Sequence, residues 1–342
     1  MAGVWGKAGK AAAAGALGAA SWAGYSCKVM NKQLPSREEL AIYLDWLTGV
    51  VGMPEIRSSY REEVLQAGGR GLRLYHFASQ PGDPVVVFIP GTSVYALLYG
   101  EFMLKLSRAG FNVIGFDPRG HGMSEGKRGV YTLGELVDDA RAVIGHAIEK
   151  YGNRVALAGS SQGGMAAFYA AAADPRLKAA ICHNIIAPDE PDNYRMTRWP
   201  SVYKVALALE PLMGMIPQGL KAHMMTPVSL YLDLGAEPCR FFPEVARFLK
   251  EDPLAVNSVS LAALISLAKT PMARKVEDIE TPIMVIHAGQ DNIFPEDYVR
   301  RVFDRLTCPK EWLYMPEAPH LVMTDFVDDI LPPIVHWLGQ TL

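Results

Sequence analysis

Two serines stand side by side in Gly159-Ser160-Ser161-Gln162-Gly163-Gly164, directly behind the apolar run Val155-Ala156-Leu157-Ala158. A hydroxyl is a weak nucleophile at neutral pH. It becomes a good one only with a base to take its proton and an acid to hold that base. Gly159 and Gly163 bracket Ser161 in the pattern G-x-S-x-G, whereas Ser160 has Ala158 and Gln162 at the flanking positions. A tight strand-to-helix turn needs glycine on both sides, because a side chain there collides with the neighbouring strand or helix. Ser161 is the candidate nucleophile. The competing reading is a glycine-rich helix start.

Base and acid have to reach the same place from distant segments. Ile283–His287 reads as a strand, and the turn behind it leads to Asp291. Met315-Pro316-Glu317-Ala318-Pro319-His320 puts His320 in a loop after the weaker strand Trp312–Met315. In the chain order serine, acid, histidine, both stand at the same sheet edge as Ser161. Asp291 as a mere turn cap and His320 as an ordinary loop histidine are the alternatives, with Glu296, Asp297 and Glu317 as replacement acids. An oxyanion needs two N–H donors. Gln162, directly after the serine, supplies one. Thr92, in the loop Pro90-Gly91-Thr92-Ser93 behind Val85–Ile89, supplies the second, unless Thr92 or Ser93 is only a surface turn residue. His121 reads as part of a Gly-His-Gly turn and His287 as a core or supporting residue, while His183 has no motif around it.

The elements that position these residues are strand-length apolar runs with helical patterns between them: Val85–Ile89, Val113–Phe116, Val155–Ala158, Ala179–Ile181 and Ile283–His287. In Leu133–Tyr151, Leu136, Ala140, Val143, Ile144 and Ile148 share one helix face. Alternation of this kind implies a mostly parallel sheet covered by helices on both sides. Glu63–Gln66 and Leu72–Phe77 around a Gly-rich turn read as an opening hairpin. From about Pro188 the alternation stops, and helices and loops rich in Met, Leu, Tyr and Pro take over until Pro271. That stretch is too long for a plain connection and reads as an inserted, mainly helical cap. The expected organisation is a leader over 1–30, a core over 31–187, a cap over 188–275 and the rest of the core over 276–342. Met196, Met213, Met215, Met224 and Met225 either line an acyl tunnel, since Met adapts to irregular apolar ligands, or simply pack the cap.

Composition narrows the classes further. The 342 residues are half apolar with a net charge of −3, which suits a globular α/β chain and supplies no basic field for nucleic acid. Four scattered cysteines form no CxxC pair, and neither H-x-x-E-H nor a Walker loop occurs, so no metal, nucleotide or other cofactor is implied. Lys7 and Lys10 precede an uncharged Ala/Gly-rich stretch ending at Lys28, with Ser21-Trp22-Ala23 as a small-x-small site. This leader favours a membrane-surface or exported location over a cytoplasmic one, although its single leucine makes it a weak spanning segment.

One longer stretch ties these observations together. Asp117-Pro118-Arg119-Gly120-His121-Gly122-Met123-Ser124-Glu125-Gly126-Lys127-Arg128-Gly129 resembles the D-x-x-G-H-G-x-S-x-G-x-R-G signature of the monoglyceride lipase and lysophospholipase branch of the α/β-hydrolases, the serine-aminopeptidase-like enzymes. The Ser161, Asp291 and His320 segments match the branch in the same order, and the resemblance spans roughly residues 60–340 with the cap poorly matched. It implies an α/β-hydrolase fold, a Ser161–Asp291–His320 triad, an oxyanion hole at Thr92 and Gln162, and a small-molecule or lipid ester as substrate. The chain departs from the branch at Pro90, where a histidine normally orders the first donor loop. Acyl transfer with the same triad, and ligand binding without turnover, stay open at this level.

Overall fold

The computed structural model describes residues 21–199, 201, 208 and 215–342. Its centre is an eight-stranded sheet built from β1 (Tyr60–Ala67), β2 (Arg70–Phe77), β3 (Val85–Ile89), β4 (Asn112–Phe116), β5 (Val155–Ser160), β6 (Ala179–His183), β9 (Ile283–Ala288) and β10 (Lys310–Met315). The spatial order is β1-β2-β4-β3-β5-β6-β9-β10. β1 pairs antiparallel with β2, and β2 antiparallel with β4, while every later pairing is parallel. The five strands from β4 across to β9 are buried throughout and read as apolar runs, as strands covered on both faces must. Burial on β1 and β10 is partial, because these are the edges.

The helix Leu133–Tyr151 starts at Thr132, whose side chain accepts the Glu135 N–H, and ends at Gly152. Its buried stripe includes Leu136, Ala140, Val143 and Ile144. It packs on the same side of the sheet as the helix Gln162–Ala173, and together they close one core layer. The helices Gly100–Arg108 and Val327–Thr341 close the other.

Between β6 and β9 the chain leaves the sheet. Residues 188–275 hold the short helices Val245–Glu251 and Leu261–Lys269, but also an antiparallel pair of three-residue strands, β7 (Met225–Pro227) and β8 (Ser258–Ser260). The sequence shows no strand pattern there, since three residues are too few for an alternation to register. Arg128 donates to the Leu254 and Gly122 carbonyls, Val256 N–H to Ser93 O at 2.8 Å and Ser260 N–H to Gly129 O at 2.9 Å, so this segment is tied to the core at several points.

Residues 21–30 of the leader are helical and lie against this same segment. Trp22 Nε1 donates to Met225 O at 2.7 Å, Ser26 Oγ accepts Met225 N–H at 3.1 Å, and Tyr25 Oη meets Ser258 Oγ at 2.5 Å. Residues 1–20, Pro200 and most of the stretch 206–215 with Met213 lie outside the described residues. No helix among the described residues is long and apolar enough to cross a membrane. The four cysteines are free thiols.

Candidate active site

Ser161 occupies the single residue between the end of β5 and the helix Gln162–Ala173, at φ 54° and ψ −117°. A non-glycine residue held at positive φ costs on the order of 1–3 kcal/mol, which the surrounding packing has to absorb. That packing is visible in the glycines. A Cβ on Gly159 would run into the Gly163 carbonyl, and one on Gly163 into the Ile89 and Pro90 carbonyls. The turn exists only because both positions lack side chains. Ser160 is buried, with its Oγ 3.2 Å from His183 Nδ1.

Because the strands run parallel, the loops after β5, β9 and β10 emerge at one edge. Ser161 Oγ lies 3.0 Å from His320 Nε2, and His320 Nδ1 lies 2.8 Å from Asp291 Oδ2. Asp291 Oδ1 accepts the N–H groups of Ile293 and Phe294 at 2.8 and 2.9 Å, which fixes the carboxylate. The His320 ring stacks on Phe294 with centroids 5.8 Å apart and planes within 3°. Burial alone would raise the Asp291 carboxyl. The charge of His320 and the hydrogen bond from its ring outweigh that and hold it far below the usual carboxylate range. Burial presses the His320 imidazole down, but the facing Asp291 charge and hydrogen bond, and then the Glu237 charge, leave it raised above 6.5.

Three further side chains complete this cluster. Asn184, at φ 67° just beyond β6, donates from Nδ2 to Asp291 Oδ2 at 2.8 Å, and its Oδ1 lies 2.9 Å from His287 Nδ1. Glu237, from the segment between β6 and β9, is 2% exposed and accepts the His320 N–H at 3.2 Å. His183 lies flat in the interior with its ring 5.1 Å from that of His320. Burial, then the neighbouring His320 charge, pushes His183 down to about 3, so it stays neutral. The replacement acids are engaged elsewhere or solvent-facing: Asp297 pairs with Arg195 and Arg301, Glu296 accepts from Tyr314, and Glu317 is exposed. His121 is buried against Tyr131, 3.1 Å from Arg119 O, so it belongs to its own turn. Asp117 anchors that turn by accepting from Tyr75 Oη, Ala96 N–H and Met123 N–H, each at 2.8 Å.

Thr92 and Gln162 face each other beside Ser161. Thr92 Oγ1 donates to Gln162 Oε1 at 2.5 Å, and Tyr131 Oη donates to the same oxygen at 3.0 Å. This three-residue clamp orders the Pro90-Gly91-Thr92 loop without the missing histidine. Gly91 passes so close to the elbow that a Cβ there would sit 3.2 Å from Ser160 O. Gln162 opens its helix, so its N–H has no intrahelical acceptor.

Two apolar hollows meet at Ser161 and Thr92. Leu98, Phe241, Phe242, Phe248, Leu249 and His320 line the first, and Met165, Ile186, Met196, Leu264, Leu267 and Phe294 the second. Of the methionines singled out between 196 and 225, Met196 lines a hollow, Met225 is buried in β7 and Met215 is largely exposed. Leucine and phenylalanine outnumber methionine in these walls.

The fold and this edge cluster define a carboxylic ester hydrolase of the α/β-hydrolase class. Residues 80–326 match the family described as serine aminopeptidase, S33, and the chain belongs to that family. A monoacylglycerol lipase of Mycolicibacterium smegmatis is 30% identical over 299 residues, covering 83% of this chain and 99% of the relative. The crystal structure of Paleococcus ferrophilus monoacylglycerol lipase superposes with a TM-score of 0.63 at 25% identity, over 79% of this chain and 99% of that one. A soluble variant of Saccharomyces cerevisiae monoglyceride lipase shares the fold with a TM-score of 0.67 at 17% identity, over 83% and 96%.

Proposed function

We propose that the chain hydrolyses lipid-like esters of the monoacylglycerol type through an acyl-enzyme on Ser161. The observation that carries this reading is the unbroken order Ser161 Oγ, His320 Nε2, His320 Nδ1, Asp291 Oδ2, with contacts of 3.0 and 2.8 Å. Ser161 Oγ attacks the ester carbonyl carbon while His320 Nε2 takes its proton, and Asp291 stabilises the imidazolium. The N–H groups of Gln162 and Thr92 receive the tetrahedral oxyanion; each such donor is worth about 10²–10³ in rate. His320 then passes the proton to the leaving alcohol oxygen. A water attacks the acyl-serine with His320 again as base, and the free acid and Ser161 hydroxyl are restored.

The two apolar hollows support a substrate with apolar groups, as does the likeness to monoacylglycerol lipases. Release of fatty acid from a monoacylglycerol, and turnover of p-nitrophenyl esters of graded chain length, test the reading against a Ser161→Ala variant. Loss of activity by about 10⁶ and loss of fluorophosphonate labelling, with an unchanged circular dichroism spectrum, is the expected result. Substantial turnover by the variant would remove Ser161 from the mechanism.

A further inference from the structure

Far along the sheet from Ser161, β1, β2 and the helix Leu133–Tyr151 bring Glu63, His76 and His146 together. Glu63 pairs with Leu74 across the hairpin, so Glu63 and His76 are diagonal neighbours on one face. The helix covering that face presents His146 and, one turn later, Lys150. Glu63 Oε2 lies 3.1 Å from His76 Nε2, and Glu63 Oε1 lies 3.2 Å from His146 Nε2.

Neither approach is a hydrogen bond. Both Nε2 atoms are buried and without a hydrogen-bond partner, although a carboxylate oxygen stands beside each. His76 is 5% exposed and its other nitrogen, Nδ1, lies 3.3 Å from Tyr151 Oη. With its proton on Nδ1, His76 turns a lone pair on Nε2 towards a carboxylate, an arrangement that asks for a cation. Donors at about 2.0–2.1 Å from one tetrahedral ion stand roughly 3.3 Å apart; here one ligand atom from each of the three residues lies within 4.8 Å of the others, so side-chain shifts of about an ångström close the set. The Tyr151 contact also supplies what a ligating histidine needs, a partner for its second nitrogen.

We propose that Glu63, His76 and His146 bind a divalent transition metal ion of the zinc type, with water completing the coordination. Two imidazoles and one carboxylate are zinc donors and poor ligands for magnesium. The ion would clamp the edge hairpin to the helix. It has no place in hydrolysis, because β4 and β3 separate β2 from β5. Lys150 Nζ, 2.7 Å from Glu63 Oε2, is the built-in competitor: its partly exposed ammonium neutralises the carboxylate and must swing out for the ion to enter. The absence of any local motif follows from the spacing, since residues 63, 76 and 146 meet only in the folded chain.

Calorimetric titration of the metal-free full chain with zinc chloride tests the site. Binding of one ion is expected, weakened at least about tenfold by His146→Gln, tightened by Lys150→Met, and not reproduced by magnesium. His183, Asp291 and His320 form the one other such grouping among the described residues, so binding must survive His320→Ala. His146 is only partly buried, and its variant keeps the test open where His76→Gln fails to fold. No zinc binding, equal binding of magnesium, or binding kept in His146→Gln but lost in His320→Ala would overturn the proposal.

Discussion

A protonated His320 cannot take the proton of Ser161, so in the proposed mechanism activity falls as pH drops through the His320 pKa. Three features set that value: burial lowers it, while the Asp291 and Glu237 carboxylates raise it to a net position above 6.5. Glu237→Gln removes one of those negative charges and keeps an oxygen for the His320 N–H. The acidic limb of the kcat/KM profile is therefore expected at a lower pH in this variant than in the parent, with the alkaline side unmoved. An unchanged acidic limb would mean that Glu237 does not act on His320. Asp291→Asn is a different experiment, since it loses the tautomer-holding partner itself and drops kcat by about 10⁴. Ser161 and Asp291 are legible as candidates because each follows an apolar run at a strand end, and His320 because its loop closes a weaker strand at the same edge. Glu237 and Asn184 are not. Glu237 comes from a segment with no periodicity, and Asn184 follows β6 with nothing in its neighbours to mark a polar anchor.

At the scale of elements, the sheet was readable because the central strands are continuous apolar runs punctuated by Gly, Pro and Asp. The segment between β6 and β9 was readable as an interruption but not as a structure. Its helices are short, its strands have three residues each, and its packing is fixed by long-range bonds such as those of Arg128 to the Gly122 and Leu254 carbonyls. Loop ordering at Thr92 shows the same limit: the absent histidine was visible, whereas the clamp through Gln162 and Tyr131 joins residues 70 and 31 positions apart. Part of the wall of each hollow comes from this segment, and the separation of the hollows gives a prediction. Leu249→Trp narrows the first hollow and Leu267→Trp the second. One variant should shift the optimum in a p-nitrophenyl acyl series to shorter chains; the other should shift it in a series of alkyl acetates. Esters of the smallest acids and alcohols should keep their turnover, because neither change touches Ser161, His320 or Asp291. Two unaltered profiles would show that substrate reaches Ser161 without occupying either hollow.

For the whole molecule, the end of the leader does not stand apart from the domain. Side chains of the helix 21–30 bond the backbone of β7 and the Ser258 hydroxyl of β8, Met30 O accepts Arg128 N–H at 3.2 Å, and Lys32 Nζ reaches Asp252 O at 3.2 Å. Most of these bonds join the N-terminal stretch to the segment that supplies part of the hollow walls. Each is worth about 0.5–1.5 kcal/mol net, and losing several at once exposes partners that water then has to satisfy. A chain starting at residue 33 is therefore expected to melt at a lower temperature than the full chain. Amide exchange should rise over residues 225–260, and stay unchanged in β3 and β5, which are buried without any help from the leader. The sheet edge carrying Ser161, Asp291 and His320 does not touch residues 21–30 through any of these bonds, so short-chain esters should still be cleaved. Long-chain esters, which in the proposed reading occupy both hollows, should suffer most. Equal melting temperatures and equal exchange over 225–260 in the two chains would show that the leader rests on the domain without supporting it.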